Sequence, residues 1–273
     1  MRVRTLSTSA AVVASNPRGR RRNVLGKKGN SMTELLFHQD SYLREFDALV
    51  TEIIESTQSS GGGVVLDRTT FYIGGGGQPH DTGVLVADGT EYPVSKMSRS
   101  DGKIVHQLEG GLPPVGAKVT GRIDWERRFL LMRTHTALHI LCGVVWRDYG
   151  AKVTGGDMQP GTARMDFELE TMTSEFAQEI EQRVNAEVAA GRDILVDTLT
   201  RQQADLHPDL IRTKINLLPP DIREIRTIDI SGLDLQADGG THVANTAEVG
   251  AIKVVGHESK GRINKRLRIS LTG

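Results

Sequence analysis

The sequence predicts an α+β protein in which a small antiparallel β-barrel precedes a mixed domain of helices and strands. Short β-branched segments joined by turns occupy the chain from about residue 60 to residue 124. After Trp125 the hydrophobic period changes from that of strands to that of a helix. Strand-like segments then return behind two helical segments. We therefore expect one domain over 32–125 and a second over 126–273.

The first 31 residues are predicted to be a disordered basic extension outside the fold. They contain eight Arg or Lys residues and no acid. This composition is typical of an organellar transit peptide, of a basic nucleic-acid-binding arm, and of a start codon assigned upstream of Met32. We expect the extension to be dispensable and the protein to be cytoplasmic, with organellar targeting by residues 1–31 as the alternative.

Overall composition excludes some classes of protein. The 34 basic and 34 acidic residues cancel, but the chain after residue 31 has 26 basic and 34 acidic residues. Binding to nucleic acid would therefore need a local basic patch. The single cysteine, Cys142, excludes an internal disulfide and fits a reducing compartment. No uninterrupted apolar segment reaches the ~20 residues of a membrane-spanning helix, so no membrane partner is expected.

The barrel prediction depends on five strand-like segments and two hairpin turns. Asp88-Gly89 and Asp101-Gly102 lie between such segments, and an Asp-Gly pair tolerates the positive φ angles of a tight hairpin. Short strands at this spacing are typical of a small barrel. We expect Met32 to Ile54 to add a lead strand and a short helix or strand. The five segments are 64–69, 83–88, 91–97, 103–108 and 117–124.

Two helices and four further strands are predicted for the second domain. Residues 125–150 carry an apolar stripe at helical spacing and end at Gly150. Residues 174–191 repeat apolar residues every four positions, with Thr173 or Ser174 as the N-cap and Gly191 at the end. The predicted strands are 194–198, 222–230, 248–255 and 266–271.

Two histidines on the first predicted helix could bind a metal ion. His135 and His139 are four residues apart, so both imidazoles project from one face of the helix. Spacing alone is weak evidence, because such pairs are often ordinary solvated or buried histidines. Thr136 stands where a HExxH metalloprotease carries its glutamate base, so that peptidase chemistry is not expected.

A second short motif, Asp238-Gly-Gly-Thr-His242, has the same spacing in a different setting. Its two glycines indicate a tight turn, which could direct Asp238 and His242 to one point. Alone, the motif also fits an ordinary turn with an incidental histidine.

Cys142 lies three residues after His139 and could reach the same metal, but we expect it to pack in the core.

Three segments together carry a resemblance to a known family. RTHTALH (133–139), DGGTHV (238–243) and FYIGGGGQPHDTG (71–83) resemble the free-standing, AlaX-like alanyl-tRNA editing proteins, which are related to the editing domain of alanyl-tRNA synthetase. The resemblance covers residues 32–273. It implies a barrel-like domain followed by an α+β, zinc-binding editing domain shared with threonyl- and alanyl-tRNA synthetases. The implied activity is hydrolysis of the ester that joins a wrong amino acid to tRNA-Ala.

The resemblance implies a single zinc ion bound by His135, His139 and His242. The family usually has cysteine at the fourth ligand position, where this chain has Asp238. A carboxylate is an acceptable but harder zinc ligand than a thiolate. Asp238 is expected either to bind the ion or, with three histidines and a water on the ion, to act as a general base.

The resemblance also implies which residues recognise the substrate. The Gly-rich loop lacks the Gly-Lys-Ser/Thr ending of a nucleotide-binding P-loop. In the family, this loop and a preceding threonine distinguish serine from alanine, since a site built to bind a hydroxyl rejects the analogue that lacks it. Ser-tRNA-Ala is the expected main substrate, with Gly-tRNA-Ala as a second one. The matching residues are Thr69, Gly75, Gly76, Gly77 and Gln78.

A basic stretch near the C-terminus is the candidate for contacting tRNA phosphates. Residues 253–268 contain six Lys or Arg residues and one acid, Glu258. A solvated basic face is the alternative. The predicted RNA-binding residues are Lys253, Lys260, Arg262, Lys265 and Arg266.

Two other functions of the protein stay open: a tRNA- or metal-binding module without catalysis, and a metal-dependent hydrolase of small aminoacyl esters.

Overall fold

A closed, six-stranded antiparallel barrel forms the first part of the chain. The computed structural model describes residues 32–55, 62–214 and 222–272, so the predicted basic extension lies outside the described residues. Around the barrel the order is β2-β3-β7-β6-β5-β8, and β1 and β4 form a separate parallel pair. The strands are β1 Glu34–Leu35, β2 Glu45–Ile54, β3 Gly63–Leu66, β4 Arg68–Thr69, β5 Gly83–Ala87, β6 Thr90–Ser100, β7 Lys103–Leu108 and β8 Lys118–Ile123.

Both predicted hairpins are confirmed. Asp88 and Gly89 join β5 to β6 with φ angles of 48° and 77°, and Asp101 and Gly102 join β6 to β7 with 50° and 77°. Two successive positive φ angles give the turn a twist that matches that of the flanking strands. Alternate side chains of the strands then point inward and pack around Phe71, Leu85 and Val119.

A mixed layer of helices and sheets follows the barrel. A four-stranded antiparallel sheet has the order β14-β15-β10-β9, and a three-stranded sheet has the order β11-β12-β13. The helices are α1 Trp125–Tyr149, α2 Ser174–Ala189 and the four-residue α3 Arg201–Ala204. The strands are β9 Val153–Gln159, β10 Thr162–Phe167, β11 Ile194–Thr200, β12 Glu224–Ile230, β13 Asp234–Ala237, β14 Ala251–Gly261 and β15 Asn264–Thr272.

Helix α1 is the central element of this layer. Asp124 caps it by accepting a hydrogen bond from the Arg127 N–H at 3.1 Å, and Gly150 ends it with a φ of 63°. The helix is long and apolar enough to cross a membrane, but 78% of its most apolar window is buried inside the protein. It is therefore the core helix, packed against α2 and against β9, β10 and β13.

The helix and strand bounds mostly match the sequence prediction, and the α+β class with a leading barrel is confirmed. The barrel ends at Ile123 and α1 begins at Trp125; the division into two domains at that point stays a prediction. Strands β9, β10 and β13 were not predicted. Their sequences, such as VTGGDMQ in β9, lack the β-branched runs that indicate a strand. Pairing with neighbouring strands stabilises the extended conformation that these sequences favour only weakly by themselves.

A buried ion pair joins α1 to the barrel. The guanidinium of Arg128 and the carboxylate of Asp81 are both fully buried and hydrogen-bonded to each other. The same guanidinium donates to the carbonyl oxygens of Ser41 at 3.0 Å and Thr70 at 2.6 Å. Asp81 also accepts the backbone N–H of Tyr72 at 2.6 Å. This network fixes the barrel loops against the first turn of α1.

His106 is a fully buried histidine of the barrel wall. Its Nδ1 lies 3.3 Å from the Val64 carbonyl oxygen, and its Nε2 lies 2.8 Å from the Thr69 hydroxyl. Burial lowers the pKa of His106 to about 4. Between that value and 6.5, the pKa of an exposed histidine, the unfolded chain binds a proton that the folded chain does not.

We therefore expect His106 to make the protein less stable as the pH falls from about 6.5 to about 4. Its share of the free energy of unfolding should decrease by about 1.4 kcal/mol per pH unit across that window. Urea unfolding at several pH values, with chelator present throughout, would measure this for the wild type and for His106→Gln. The variant should show a shallower pH dependence. Parallel curves would contradict the assignment.

Candidate metal centre

Three histidines and one aspartate converge where α1 meets the loop after β13. Helix α1 supplies His135 and His139, and the loop supplies Asp238 and His242. One ligand atom from each residue lies within 4.8 Å of the others. The ring centres of His135 and His242 are 4.2 Å apart, and that of His139 lies 5.1 Å and 4.7 Å from them. The four side chains thus surround one small volume.

The Asp238–His242 loop is held as a tight turn. Asp238 Oδ2 accepts the Gly240 N–H at 2.7 Å and lies 3.0 Å from His242 Nε2. Arg226 Nη1 donates to the carbonyl oxygens of Asp238 at 3.0 Å and Gly240 at 2.9 Å. These contacts direct Asp238 and His242 to the same point, as the two-glycine motif predicted.

Each histidine is oriented through its Nδ1 atom. Gln78 Oε1 lies 3.0 Å from Nδ1 of His135, and Asp234 Oδ2 lies 3.0 Å from Nδ1 of His139. The Thr136 hydroxyl lies 3.1 Å from Nδ1 of His242. The oxygens of Gln78 and Asp234 can only accept, so they place the ring proton of His135 and His139 at Nδ1 and leave the Nε2 lone pairs of these two rings to face the centre, as around metal-bound imidazoles. The Thr136 hydroxyl can donate to His242 or accept from it.

The electrostatics of the cluster suit a cation. Burial lowers the pKa of His135 to about 4 and holds that of His242 well below its usual value, so both rings are neutral at pH 7. Burial would raise the pKa of Asp238, but the neighbouring His135 and His242 hold it well below its usual range. Neutral imidazoles and an ionised carboxylate form a ligand set that zinc accepts.

His139 differs from the other two histidines. Burial acts to lower its pKa, but the hydrogen bond and the charge of Asp234 outweigh that effect and raise it. Asp234 is itself fully buried, and its Oδ1 lies 2.5 Å from Arg212 Nη1. A carboxylate behind a histidine makes the ring a stronger metal ligand once the ion replaces the proton at Nε2. The residues present therefore fit a zinc ion.

Three members of the cluster, His135, His139 and Asp238, lie on the wall of a cavity. The cavity has a volume of about 870 Å³ and a mostly apolar lining. Polar groups from several elements share its wall with the cluster, among them Arg212 and Arg226. A volume of this size is in the range of sites for substrates much larger than an amino acid.

Comparison with known proteins identifies the family. The family model described as tRNA synthetases class II (A) matches residues 30–127, and the one described as threonyl and alanyl tRNA synthetase second additional domain matches residues 225–268. The alanyl-tRNA editing protein AlaX-M of Methanosarcina barkeri is 36% identical over 247 residues, covering 88% of this chain and 99% of that protein. The chain belongs to the alanyl-tRNA editing protein family.

Other relatives agree with this membership. The AlaX-M protein of Saccharolobus solfataricus is 38% identical over 239 residues, 86% of this chain and 98% of that protein. The alanine–tRNA ligase of Ignicoccus hospitalis is 38% identical over 231 residues, which cover 84% of this chain and 25% of the ligase. The sequence-based resemblance to the alanyl-tRNA editing family is thus confirmed.

The Gly-rich loop of this family member reaches the candidate metal centre. Gly75 and Gln78 form reciprocal backbone hydrogen bonds of 3.1 Å and 2.9 Å around a two-residue turn. Gly76 and Gly77, at φ angles of 58° and 90°, form that turn and lie on the cavity wall. A Cβ at Gly76 would lie 3.8 Å from Asp238 Oδ1.

Thr69 and Gln78, the other predicted substrate-binding residues, are buried and do not lie on that wall. The Thr69 hydroxyl contacts His106 and accepts the Phe71 N–H at 3.1 Å. The side-chain amide of Gln78 donates to the Thr241 hydroxyl at 2.8 Å and accepts its N–H at 3.0 Å, in addition to contacting His135. Their role in recognising serine stays a prediction.

The predicted RNA-binding residues lie on the β14–β15 hairpin, away from the cavity wall. Lys253 and Lys260 form exposed ion pairs with acids. Lys265 is buried and donates to the carbonyl oxygens of Gly261 and Arg262, while Arg266 forms a two-point ion pair with Asp166. Arg262 forms no ion pair with the residues that the structure describes. Contact of this hairpin with RNA stays a prediction.

Several residues that support the centre were missed in the sequence. Asp234 lies outside the sequence motifs, and Thr136 and Thr241 lie inside two of them, but the partner of each is far away in the chain and so could not be read from the sequence. His38 belongs to none of the sequence motifs, yet it lies on the cavity wall, where burial and then the charge of Arg226 lower its pKa to about 4. Cys142, as expected, is buried in the core, and it lies outside the group of convergent ligand atoms.

Gly240 should be essential to the geometry of the centre. A Cβ at that position would overlap the imidazole of His135 and lie 2.7 Å from Gln78 Oε1. We expect Gly240→Ala to displace His135 and weaken zinc binding by about 10–100-fold, the range seen when the support of a metal ligand is disturbed. Gly239→Ala is the matched control, because its Cβ would meet nothing within 4 Å. Competition with a chromophoric chelator would measure both, and equal affinities would contradict this role.

Proposed function

We propose that this chain is a trans-editing hydrolase that removes serine from mischarged Ser-tRNA-Ala, with Gly-tRNA-Ala as a second substrate. The observation that carries the proposal is the convergence of His135, His139, Asp238 and His242 beside a cavity whose wall includes the first three of them. The relatives named alanyl-tRNA editing proteins, which align over 98–99% of their length, support the same activity.

Zinc is the cofactor that we propose, with one ion per chain held by the four convergent residues. When bound, such an ion activates a water molecule and polarises a carbonyl group. Asp238 is proposed as a ligand rather than a general base, because its two oxygens face His242 Nε2 at 3.0 Å and His135 Nε2 at 3.7 Å. A carboxylate between two ligand nitrogens is placed to share their ion.

The remaining residues of the site position and enclose the reaction. Gln78, Thr136 and Asp234 each hold one imidazole at its Nδ1 atom. Gly76 and Gly77 bring backbone to the cavity wall without a side chain. The volume of about 870 Å³ leaves room for the terminal adenosine of the tRNA beside the amino acid. The largely apolar lining limits the access of other water molecules to the ester.

The partner that we propose is the aminoacylated 3′ end of tRNA-Ala. Serine is favoured over alanine if Thr69, Gln78 and the Gly75–Gly77 loop recognise the serine hydroxyl, as the family resemblance implies. The basic residues of the β14–β15 hairpin are candidates for contacting tRNA phosphates. The expected reaction is ester hydrolysis, which yields the free amino acid and tRNA.

Deacylation assays on Ser-tRNA-Ala, Gly-tRNA-Ala and Ala-tRNA-Ala test the proposal directly. The full chain should hydrolyse the seryl and glycyl forms and spare the alanyl form. A chelator should abolish the activity, and added zinc should restore it. Tight binding of tRNA without hydrolysis by the zinc-loaded protein would indicate a binding module instead. Equal rates on a small seryl ester and on Ser-tRNA-Ala would indicate a general esterase.

A further inference from the structure

Arg226 lies directly behind the metal-ligand turn. It belongs to β12, and its Nη1 holds the carbonyl oxygens of Asp238 at 3.0 Å and Gly240 at 2.9 Å. Its Nε is directed at the His38 carbonyl oxygen at 3.4 Å. These three contacts fix the plane of the guanidinium, and with it the direction of the remaining nitrogen, Nη2.

Arg226 Nη2 is buried and has no hydrogen-bond acceptor in the structure. Three other buried side-chain atoms of the described residues share this condition: Nε and Nη1 of Arg212 and Oδ1 of Asp234. Arg212 Nη1 and Asp234 Oδ1 face each other at 2.5 Å and form an ion pair without hydrogen-bond geometry. Arg226 forms no ion pair with any described residue, so its unmatched Nη2, like Nε of Arg212, has no such explanation.

A buried guanidinium nitrogen without an acceptor is costly to a protein. Burial lowers the pKa of Arg226, yet a guanidinium keeps its charge in proteins. The free energy lost by leaving such a donor unpaired is recovered only when an acceptor binds. Because Arg226 shares the cavity wall with His135, His139 and Asp238, that acceptor would belong to a ligand bound beside the candidate metal centre.

We propose that Arg226 is a catalytic residue, whose Nη2 donates a hydrogen bond to the ester carbonyl oxygen as that oxygen becomes negatively charged. The inference rests on the proposed hydrolysis of aminoacyl-tRNA. Water adds to the carbonyl carbon, and the π electron pair moves onto the carbonyl oxygen. When the pair returns, the bond to the ribose oxygen breaks, and that oxygen leaves with a proton that originated on the water. A fixed cationic donor favours the charged stage of this sequence over the neutral ester.

Arg226→Lys is the first test, because lysine keeps the charge but cannot hold the turn and present a second directed donor at once. We expect kcat for Ser-tRNA-Ala to fall by about 10²–10³-fold, the loss typical for one donor to a developing oxyanion, while KM changes little. Arg192→Lys is the matched control: Arg192 also binds a backbone carbonyl and a carboxylate, those of Ser231 and Glu187, but lies away from the cavity wall. It should retain full activity.

Binding of two non-hydrolysable analogues separates this inference from the proposed function. One is seryl-adenosine with an amide in place of the ester, and the other is the corresponding tetrahedral phosphonate, which carries the negative oxygen. With equal zinc content, Arg226→Lys should lose about 10²-fold or more of its affinity for the phosphonate and keep its affinity for the amide. This binding experiment tests the role of Arg226 even if the wild type does not deacylate Ser-tRNA-Ala.

Three results would overturn the inference. Loss of zinc from Arg226→Lys would show that Arg226 acts only by holding the ligand turn. Equal loss of affinity for both analogues would show that it does not distinguish the charged oxygen. A rise in KM for Ser-tRNA-Ala, with unchanged kcat and unchanged phosphonate binding, would show that Nη2 holds a phosphate of the RNA instead.

Discussion

Replacing His139 with alanine should remove the zinc ion and reduce deacylation of Ser-tRNA-Ala by at least ~10³-fold, somewhat more than the loss of a single transition-state donor. His139 is one of the four convergent candidate ligands and the one backed by a buried carboxylate, Asp234. Without the ring, three candidate ligands remain, and Asp234 loses one of its partners. Zinc content by mass spectrometry and single-turnover deacylation would measure the two effects together.

His207→Ala is the appropriate control for this substitution. His207 is exposed and lies away from the cavity wall, so both the zinc content and the rate should equal those of the wild type. If His139→Ala bound no zinc but deacylated Ser-tRNA-Ala at the wild-type rate, metal-dependent hydrolysis would be wrong. Circular dichroism should show a folded variant, because the barrel does not depend on this ring.

Arg128→Met should strongly destabilise the protein. It would leave the carboxylate of Asp81 fully buried with no cation, and the carbonyl oxygens of Ser41 and Thr70 would lose their donor. Breaking a buried pair in this way costs about 3–5 kcal/mol. For a chain of this size the melting temperature should fall by roughly 10 °C, which differential scanning calorimetry would measure.

A double-mutant cycle tests whether the buried pair is the cause. Asp81→Asn removes the stranded charge but keeps an acceptor for the Tyr72 N–H, so the double variant should be destabilised by less than the sum of the single variants, by about 1–3 kcal/mol. Arg122→Met breaks an exposed pair with Glu91 and should cost less than about 1 kcal/mol. Strict additivity of the two changes at 81 and 128 would contradict this explanation.

Features that depend on local sequence were predictable. The Asp-Gly pairs specified two hairpins because few other residues tolerate successive positive φ angles. The spacing of His135 and His139 placed both on one helix face, and the change of period at Trp125 marked the start of α1. The two-glycine turn likewise brought Asp238 and His242 together. Each of these inferences needed only neighbouring residues.

The supporting contacts of the site were not predictable in the same way. The contact of Asp234 with His139 spans 95 positions, and that of Gln78 with Thr241 spans 163. Neither residue type nor local spacing indicates such a partner, because the fold alone brings the two segments together. The same holds for Arg226, whose sequence neighbours describe only a strand. Strand β9 was missed because two glycines weaken its local preference.

Gln78 links the barrel to the candidate metal centre, and this link limits which fragments of the chain could form that centre. All four candidate ligands lie after Trp125, so a fragment that begins there would contain the complete ligand list. Yet one side-chain amide from the barrel holds both His135 and Thr241, and the fragment would lack it. The ring of His135 would then be free to rotate, and the loop that carries His242 would lose an anchor. A fragment can therefore contain all four candidate ligands and still lack a correctly arranged site, because the barrel contributes the side chain that orients His135.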